Sequence, residues 1–143
     1  MRDGGNAVDA AVAMGGMMAI AEPMMSGLGG DTMVLVYWAA DRKVYGLNGS
    51  GAAPSGVSLA AAAGRAMMPA IGPESVTIPG AVDGWCALLE RFGSLPLARL
   101  WEPAVAAARD GCPVGESIAG FWAIAASGLP QFAEPALLEL LLP

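Results

Sequence analysis

The sequence contains no histidine, a single lysine and two cysteines, and each shortage excludes a class of function. Without histidine, the chain cannot itself build a Ser-His-Asp group, a Cys-His group or a histidine metal site. With Lys43 alone and a net charge of −6 there is no basic stripe, which disfavours nucleic acid and anionic membranes as partners. The isolated Cys86 and Cys112 form neither a disulfide framework nor a zinc pattern, so we expect buried structural thiols.

Charged residues of both signs are scarce, at 14% against a usual value of about 25%. Because 55% of the chain is hydrophobic, we expect further polypeptide to cover some of its apolar faces. The longest clean apolar stretch, residues 10–21, is too short to span a bilayer, and the N-terminus lacks the pattern of a signal peptide. The sequence therefore does not indicate a cellular compartment.

The first third of the chain predicts a core helix followed by a hairpin. Asn6 and Asp9 suit the start of a helix that Pro23 ends near residue 21, and its apolar residues on all sides predict complete burial. Gly15 and Gly16 in this helix predict that another backbone packs closely there. Residues 32–38 read as a strand buried on both faces, and residues 44–47 as its hairpin partner.

The remainder predicts mainly helices. We expect a short helix capped by Ser58, a short strand at residues 74–78, and an apolar tail at residues 137–142. Three longer helices are predicted at residues 81–92, 97–110 and 117–126, with Pro103 bending or restarting the second of them.

Two local patterns have functional interpretations that we consider weaker than structural ones. The glycine loop at residues 27–31 lacks the lysine of a phosphate-binding loop and precedes a strand, which favours a tight connection close to another segment. Methionines cluster early in the chain and could suggest a Cu(I) site, but their spacing among aliphatic residues favours core filler. These methionines are Met14, Met17, Met18, Met24, Met25 and Met33.

Three segments, in order, resemble the γ-glutamyltranspeptidase family of N-terminal-nucleophile hydrolases. Residues 4–13 read GGNAVDAAVA, which is close to the family's opening helix. Glu22-Pro23 followed by SGLGG at residues 26–30 is similar to the family's "EP…SGIGGG" loop. Residues 75–85, SVTIPGAVDGW, are similar to its "SV.VPG...G" stretch. The resemblance extends through the helices near residues 92–104 and covers nearly the whole chain.

The resemblance implies an α+β fold, in which the chain is one partial domain (residues 1–143) of a four-layer αββα hydrolase, contributing a core helix, a β-hairpin and outer helices. Family members are proenzymes that cleave themselves into a large and a small subunit, and the new N-terminal threonine of the small subunit is the nucleophile. Its own α-amine acts as the base, so that neither histidine nor a cofactor is needed. The only threonines here, Thr32 and Thr77, lie in no such context, and we assign no catalytic residue.

One departure from the family pattern concerns the substrate. Members that act on glutathione carry an arginine in a pattern like "L-D-x-R-E-x-A-P", which holds the glutamyl α-carboxylate. Alignment on Leu47 and on Ala53-Pro54 places Ser50 at that arginine's position. Serine cannot form a bidentate cationic contact with a carboxylate, so glutathione is in doubt as the substrate. A branch with "N-x-S-G" here looks closer, and Asn48 and Ser50 are the predicted substrate-binding residues.

We therefore expect an N-terminal fragment of a γ-glutamyltranspeptidase-like amide hydrolase, inactive alone. Its expected partners are the remainder of the large subunit, the small subunit, and a small amide or γ-glutamyl substrate. Two alternatives are a free-standing binding or interaction module and, with less support, a methionine-based copper carrier. The apolar C-terminal tail argues against a complete binding module.

Overall fold

The computed structural model describes residues 4–58, 60, 63–70, 72–131, 133 and 135–141. They divide into two compact units: the described residues within 1–52 and 77–112 form the first, and those within 53–76 and 113–143 form the second. The first unit contains three helices and a two-stranded antiparallel sheet. In the described part of the chain, no helix combines the length and the apolar character needed to cross a membrane.

The first helix, α1, spans Ala7–Ala21 and begins as the sequence predicts. The Oδ1 atom of Asn6 accepts hydrogen bonds from the backbone N–H groups of Val8 and Asp9, at 2.8 and 3.2 Å. In return, Asp9 Oδ2 accepts the N–H of Asn6 at 2.7 Å, which completes a capping box. The helix ends at Ala21, two residues before Pro23, as predicted.

Burial of α1 on all sides, however, is a wrong prediction. Its buried residues are Val8, Asp9, Val12 and Gly16, whereas Met14 is 62% exposed. Helix α1 contacts helices α2 (Ala81–Phe92) and α3 (Leu97–Asp110), and its buried residues recur along one side of it. The methionines are likewise not core filler throughout, because several are exposed: Met14, Met18, Met25 and Met33.

The glycine pair of α1 makes a close contact of a different kind from the one expected. A Cβ atom on Gly15 would lie 2.9 Å from the ring of Trp85, and one on Gly16 would lie 2.7 Å from the ring of Trp101. The two indoles meet edge to face with their centroids 5.7 Å apart. Close approach is thus confirmed, but the neighbours are two aromatic side chains and not a backbone.

Strand β1 spans Thr32–Trp38 and strand β2 spans Lys43–Gly49. They pair antiparallel with Thr32 opposite Gly49 and Trp38 opposite Lys43, which confirms the predicted hairpin. Burial alternates along β1, so the prediction of a strand buried on both faces is wrong. One face of a two-stranded sheet packs on the core here, and the other carries exposed Met33, Leu35, Tyr37 and Val44.

Helices α2 (Ala81–Phe92) and α3 (Leu97–Asp110) complete the first unit at the predicted positions. Pro103 does not restart α3, which is one continuous helix up to Gly111. The core cluster joins Val8 of α1 to Leu88 and Phe92 of α2. Partly buried residues of the hairpin and of α2 pack against it: Val34, Val36, Trp38, Tyr45, Leu47, Trp85 and Leu89.

The loop between α2 and α3 is fixed to α1 through Asp9, which is 2% exposed. Its carboxylate accepts the N–H of Ser94 at 2.9 Å, the hydroxyl of Ser94 at 2.6 Å and the N–H of Leu95 at 3.2 Å. Asn6 adds a donor of its own, since its side-chain amide donates to the Phe92 carbonyl at 2.7 Å. The start of α1 therefore holds the end of α2.

The second unit departs most from the sequence predictions. The described residues around Ser58 (58, 60 and 63–65) adopt turn or coil conformations and not a helix, while residues 59, 61 and 62 lie outside the described residues. A short 3₁₀ helix, Pro73–Ser75, replaces the start of the strand predicted at residues 74–78, so that strand is wrong. Helix α4 (Glu116–Gly128) is close to its prediction.

The apolar tail predicted near the C-terminus adopts regular structure, and one further prediction, that both cysteines are buried, is wrong. The apolar tail forms a short helix, α5 (Pro135–Leu141), with residue 142 outside the described residues. The cysteines are not both buried, because Cys86 is exposed and Cys112 is intermediate. Cys86 is an exposed residue of α2 and lies outside the core cluster.

Candidate functional site

The predicted substrate-binding residues, Asn48 and Ser50, lie together at the end of strand β2. We call residues 48–51 the 48–51 loop. Both side chains are exposed. Asn48 Oδ1 accepts the backbone N–H of Ser50 at 3.0 Å, a local turn that fixes the direction in which the chain leaves the strand. The neutral side chains of both residues are thus presented at the surface of the first unit.

The 48–51 loop is tied to the glycine loop that precedes β1. The N–H of Gly51 donates to Asp31 Oδ1 at 2.9 Å. The same oxygen accepts the hydroxyl of Thr77 at 3.2 Å. One exposed carboxylate therefore joins three segments that are distant in sequence.

The backbones of these three segments also bond directly to one another. The carbonyl of Gly30 accepts the N–H groups of Gly80 and Ala81, at 3.0 and 2.9 Å. The N–H of Ile78 donates to the carbonyl of Ala52 at 3.0 Å. The predicted close approach of residues 27–31 to another segment is confirmed, and the Gly30 carbonyl makes the contact.

Glycine is required where the segments cross. A Cβ atom on Gly51 would lie 1.4 Å from the carbonyl oxygen of Ile78, and one on Gly80 would lie 2.4 Å from that of Gly49. No side chain of any size fits at such distances, so both positions require glycine for steric reasons. Gly80 is the glycine of the "PG" pair in the third sequence motif, so this steric requirement explains why the motif contains a glycine there.

Lys43 of the hairpin lies far from this loop, and Arg91 of α2 contacts the ring of Tyr45 instead. Lys43 pairs with Trp38 at the opposite end of the ladder from Gly49, six residues or about 20 Å away at the usual rise of a strand. The guanidinium of Arg91 is occupied over the ring of Tyr45, 4.3 Å from its centroid. At the 48–51 loop itself, the charged group in contact is the carboxylate of Asp31.

Neither threonine of the chain has the environment of an amine-activated nucleophile. The methyl group of Thr32 faces the backbones of Gly49 and Gly84 inside the sheet. The hydroxyl of Thr77 donates to Asp31. Both residues lie inside the chain and have no free α-amine. Among the described residues, no group of three acidic or cysteine side chains is close enough to hold a metal ion.

Sequence reasoning missed Asp31 and Thr77 as neighbours of Asn48 and Ser50. The signals were present, since Asp31 directly follows the glycine loop and Thr77 lies within the third motif. What the sequence could not supply was the distance, because these residues come together only when the hairpin folds against the start of α2.

The capped helix α1, the hairpin and the glycines where the three segments cross form part of an N-terminal-nucleophile hydrolase of the γ-glutamyltranspeptidase and acylase type. The chain belongs to the γ-glutamyltranspeptidase family, since the family model described as Gamma-glutamyltranspeptidase matches residues 1–143. The resemblance and the fold class predicted from the sequence are both confirmed.

Individual relatives are named for different activities. The chain is 42% identical over 112 residues to the glutathione hydrolase-like YwrD proenzyme of Bacillus subtilis, covering 78% of this chain and 21% of that protein. It is 38% identical over 123 residues to the oxamate amidohydrolase proenzyme of Klebsiella pneumoniae, covering 82% and 23%. The crystal structure of cephalosporin acylase from Bacillus halodurans superposes with a TM-score of 0.83 at 35% identity, covering 94% and 25%. The chain thus spans about a fifth of the length of these curated relatives.

Proposed function

We propose that the chain is a non-nucleophilic part of an amide hydrolase proenzyme, and that its 48–51 loop forms one wall of the substrate pocket. The observation that carries the proposal is an exposed Ser50, held at the end of β2, at the position where the glutathione-active pattern has an arginine. Its partners would be the remainder of the large subunit and the small subunit, and the chain would fold as one partial domain of that assembly.

The nucleophile would come from another part of the proenzyme. Amine-activated chemistry needs a threonine with a free α-amine, and Thr32 and Thr77 are both internal. Their side chains are also engaged, Thr32 within the sheet and Thr77 with Asp31. The role of this chain would therefore be to position substrate and to support the fold.

The groups on the loop suggest which substrates it would accept. Asn48 and Ser50 offer an amide and a hydroxyl, which can form neutral hydrogen bonds to a substrate carbonyl or amide. They cannot form the charge-assisted fork that an arginine forms with a carboxylate. The loop therefore favours amide substrates that need no cationic contact from it, in keeping with relatives named for oxamate and for acylase activity.

Activity assays test the proposal at two levels. The purified chain is expected not to hydrolyse a chromogenic γ-glutamyl anilide or an N-acyl anilide. The full-length proenzyme that contains it is expected to split into two subunits, visible on a denaturing gel, and then to hydrolyse at least one of the two substrates. A preparation from cells without the chain is the matched control. Turnover by the chain alone that survives repurification would refute the proposal, and so would a full-length protein that neither splits nor hydrolyses an amide.

A further inference from the structure

The carboxylate of Asp31 has no part in the function proposed so far, yet it contacts the 48–51 loop directly. Its Oδ1 atom accepts the N–H of Gly51 at 2.9 Å and the hydroxyl of Thr77 at 3.2 Å. In the described part of the chain, one hydrogen bond joins this loop to a segment outside the hairpin, and its donor is the N–H of Gly51. Besides the local turn at Asn48, the Asp31 side chain therefore supplies the hydrogen bond that holds this loop to the segment before β1.

We infer that Asp31 is a positioning residue, whose carboxylate sets the conformation of the 48–51 loop and so the places of Asn48 and Ser50 at the pocket wall. The inference rests on the proposed function of that loop. Asp31 itself would act through Gly51 and not by touching the substrate.

The chemistry of the contact explains why a carboxylate suits this position. An ionised acceptor makes stronger hydrogen bonds than a neutral one, and a single carboxylate oxygen can accept two donors. Thr77 supplies the second donor and fixes the rotation of the carboxylate, so that Oδ1 stays aligned with the Gly51 N–H. An asparagine would keep an acceptor oxygen of the same shape without the charge, whereas an alanine would remove the acceptor.

The neighbouring backbone bonds make the effect local. Gly80 and Ala81 donate to the Gly30 carbonyl, and Ile78 donates to the Ala52 carbonyl, none of them through a side chain. Loss of the Asp31 carboxylate leaves these three bonds intact. The expected result of its removal is a looser 48–51 loop on an otherwise unchanged frame, which differs from general unfolding.

Hydrogen exchange in the full-length protein tests the structural half of the inference. Peptides containing the Gly51 amide are expected to exchange about tenfold faster in Asp31→Ala, because one hydrogen bond is lost. Asp31→Asn is expected to exchange only about threefold faster than wild type, because a neutral acceptor makes a weaker hydrogen bond than a carboxylate. Glu90→Ala, which removes an equal charge from an exposed position on α2, is the matched control and should leave this exchange unchanged. Equal exchange in wild type and Asp31→Ala would overturn the inference.

Steady-state kinetics test the functional half. We expect Asp31→Ala to raise KM about tenfold with kcat changed less than about twofold, because a loosened pocket wall weakens substrate and transition state alike. Asp31→Asn should recover most of the affinity. Thr77→Val should raise KM less than Asp31→Ala, and its effect should be absent when Asp31 is already alanine, because the two act through one contact.

The outcomes separate this inference from the function on which it rests. A fall in kcat with a lower melting temperature that asparagine does not rescue would identify a merely structural residue and overturn the inference. If Asp31→Ala does not accumulate as folded protein, Asp31→Asn carries the test: a KM rise of about threefold is expected for the neutral acceptor, and an unchanged KM would overturn it. A full-length protein without amide hydrolase activity would refute the proposed function, while the exchange of Gly51 would still decide whether Asp31 positions the loop.

Discussion

The indole of Trp101 lies directly over Gly16 of helix α1, so close that a Cβ atom on the glycine would come within 2.7 Å of the ring nitrogen. The ring is not free to withdraw. Its N–H donates to the Val12 carbonyl at 3.2 Å, and its edge packs against Trp85. The absence of a side chain at Gly16 is therefore part of how α3 attaches to α1.

Gly16→Ala is expected to destabilise the protein for this reason. Overpacking costs about 1–3 kcal/mol, which outweighs the gain of up to about 1 kcal/mol from placing alanine in a helix. Gly120→Ala in α4 is the matched control, since a Cβ atom there meets nothing within 4 Å, and it should be neutral or stabilising. Urea unfolding of both variants measures the difference, and an equal shift in both would contradict the steric account.

Asp9 should make stability depend on acid. Burial raises the pKa of its carboxyl, but hydrogen bonds from Ser94, Asn6 and Leu95 lower it by more, so that the pKa falls from 3.8 to about 2. A carboxyl group whose pKa is lowered by folding stabilises the folded state. This stabilisation is complete above pH about 4 and is lost as the pH falls through about 2. We expect the urea midpoint to fall across this window in the wild-type protein.

Asp9→Asn should weaken the protein at neutral pH and remove this acid-dependent loss. The amide has one acceptor oxygen for four donors, and leaving buried donors unpaired costs about 1–3 kcal/mol. Glu90→Gln, an exposed acid on α2, serves as the control and should retain the wild-type dependence. An Asp9→Asn protein with the wild-type midpoint at pH 7 would show that the hydrogen bonds at Asp9 contribute little.

The outer face of the hairpin should bind other apolar surfaces when the chain is purified by itself. Leu35 is 80% exposed and Met33 is 72% exposed, and Tyr37 and Val44 extend the patch. We expect the chain to bind a dye specific for exposed apolar surface and to associate as its concentration rises. Leu35→Glu should lower the dye signal by roughly half, because it removes the most exposed side chain of the four.

Ser50→Glu is the control for that substitution, because it adds the same charge at an exposed position of the neutral loop. It should leave the dye signal unchanged. Light scattering over a range of concentrations provides the second measurement. A monomeric wild-type chain that binds no dye would contradict the prediction and favour a free-standing module.

The sequence predicted local features well and three-dimensional proximity poorly. The ends of α1, α2 and α3 follow from residues next to them in the chain, such as Asn6, Pro23 and Gly111. The burial of β1 on one face only could not be read from its apolar run, because exposure depends on what packs against the sheet. The same limit applies to the candidate site: Asn48 and Ser50 were found by resemblance, but Asp31 joins them only through a hydrogen bond across 20 residues of sequence.

The last prediction concerns substrate selectivity in the full-length enzyme, and it tests whether Ser50 replaces an arginine in function as well as in alignment. With a neutral exposed residue at this position, the wild-type enzyme should discriminate poorly between a γ-glutamyl substrate and an analogue without the α-carboxylate. Ser50→Arg should raise the preference for the carboxylate about tenfold or more, because a hydrogen bond to a charged group contributes about 1.5–3 kcal/mol.

The measurement is the ratio of kcat/KM for the two substrates in wild type, Ser50→Arg and Ser50→Gln. Glutamine is the matched control, because it adds a long polar side chain without the charge and should leave the ratio near its wild-type value. A wild-type ratio that already strongly favours the carboxylate would show that another residue binds it. In that case the alignment of Ser50 with the arginine would have no consequence for specificity.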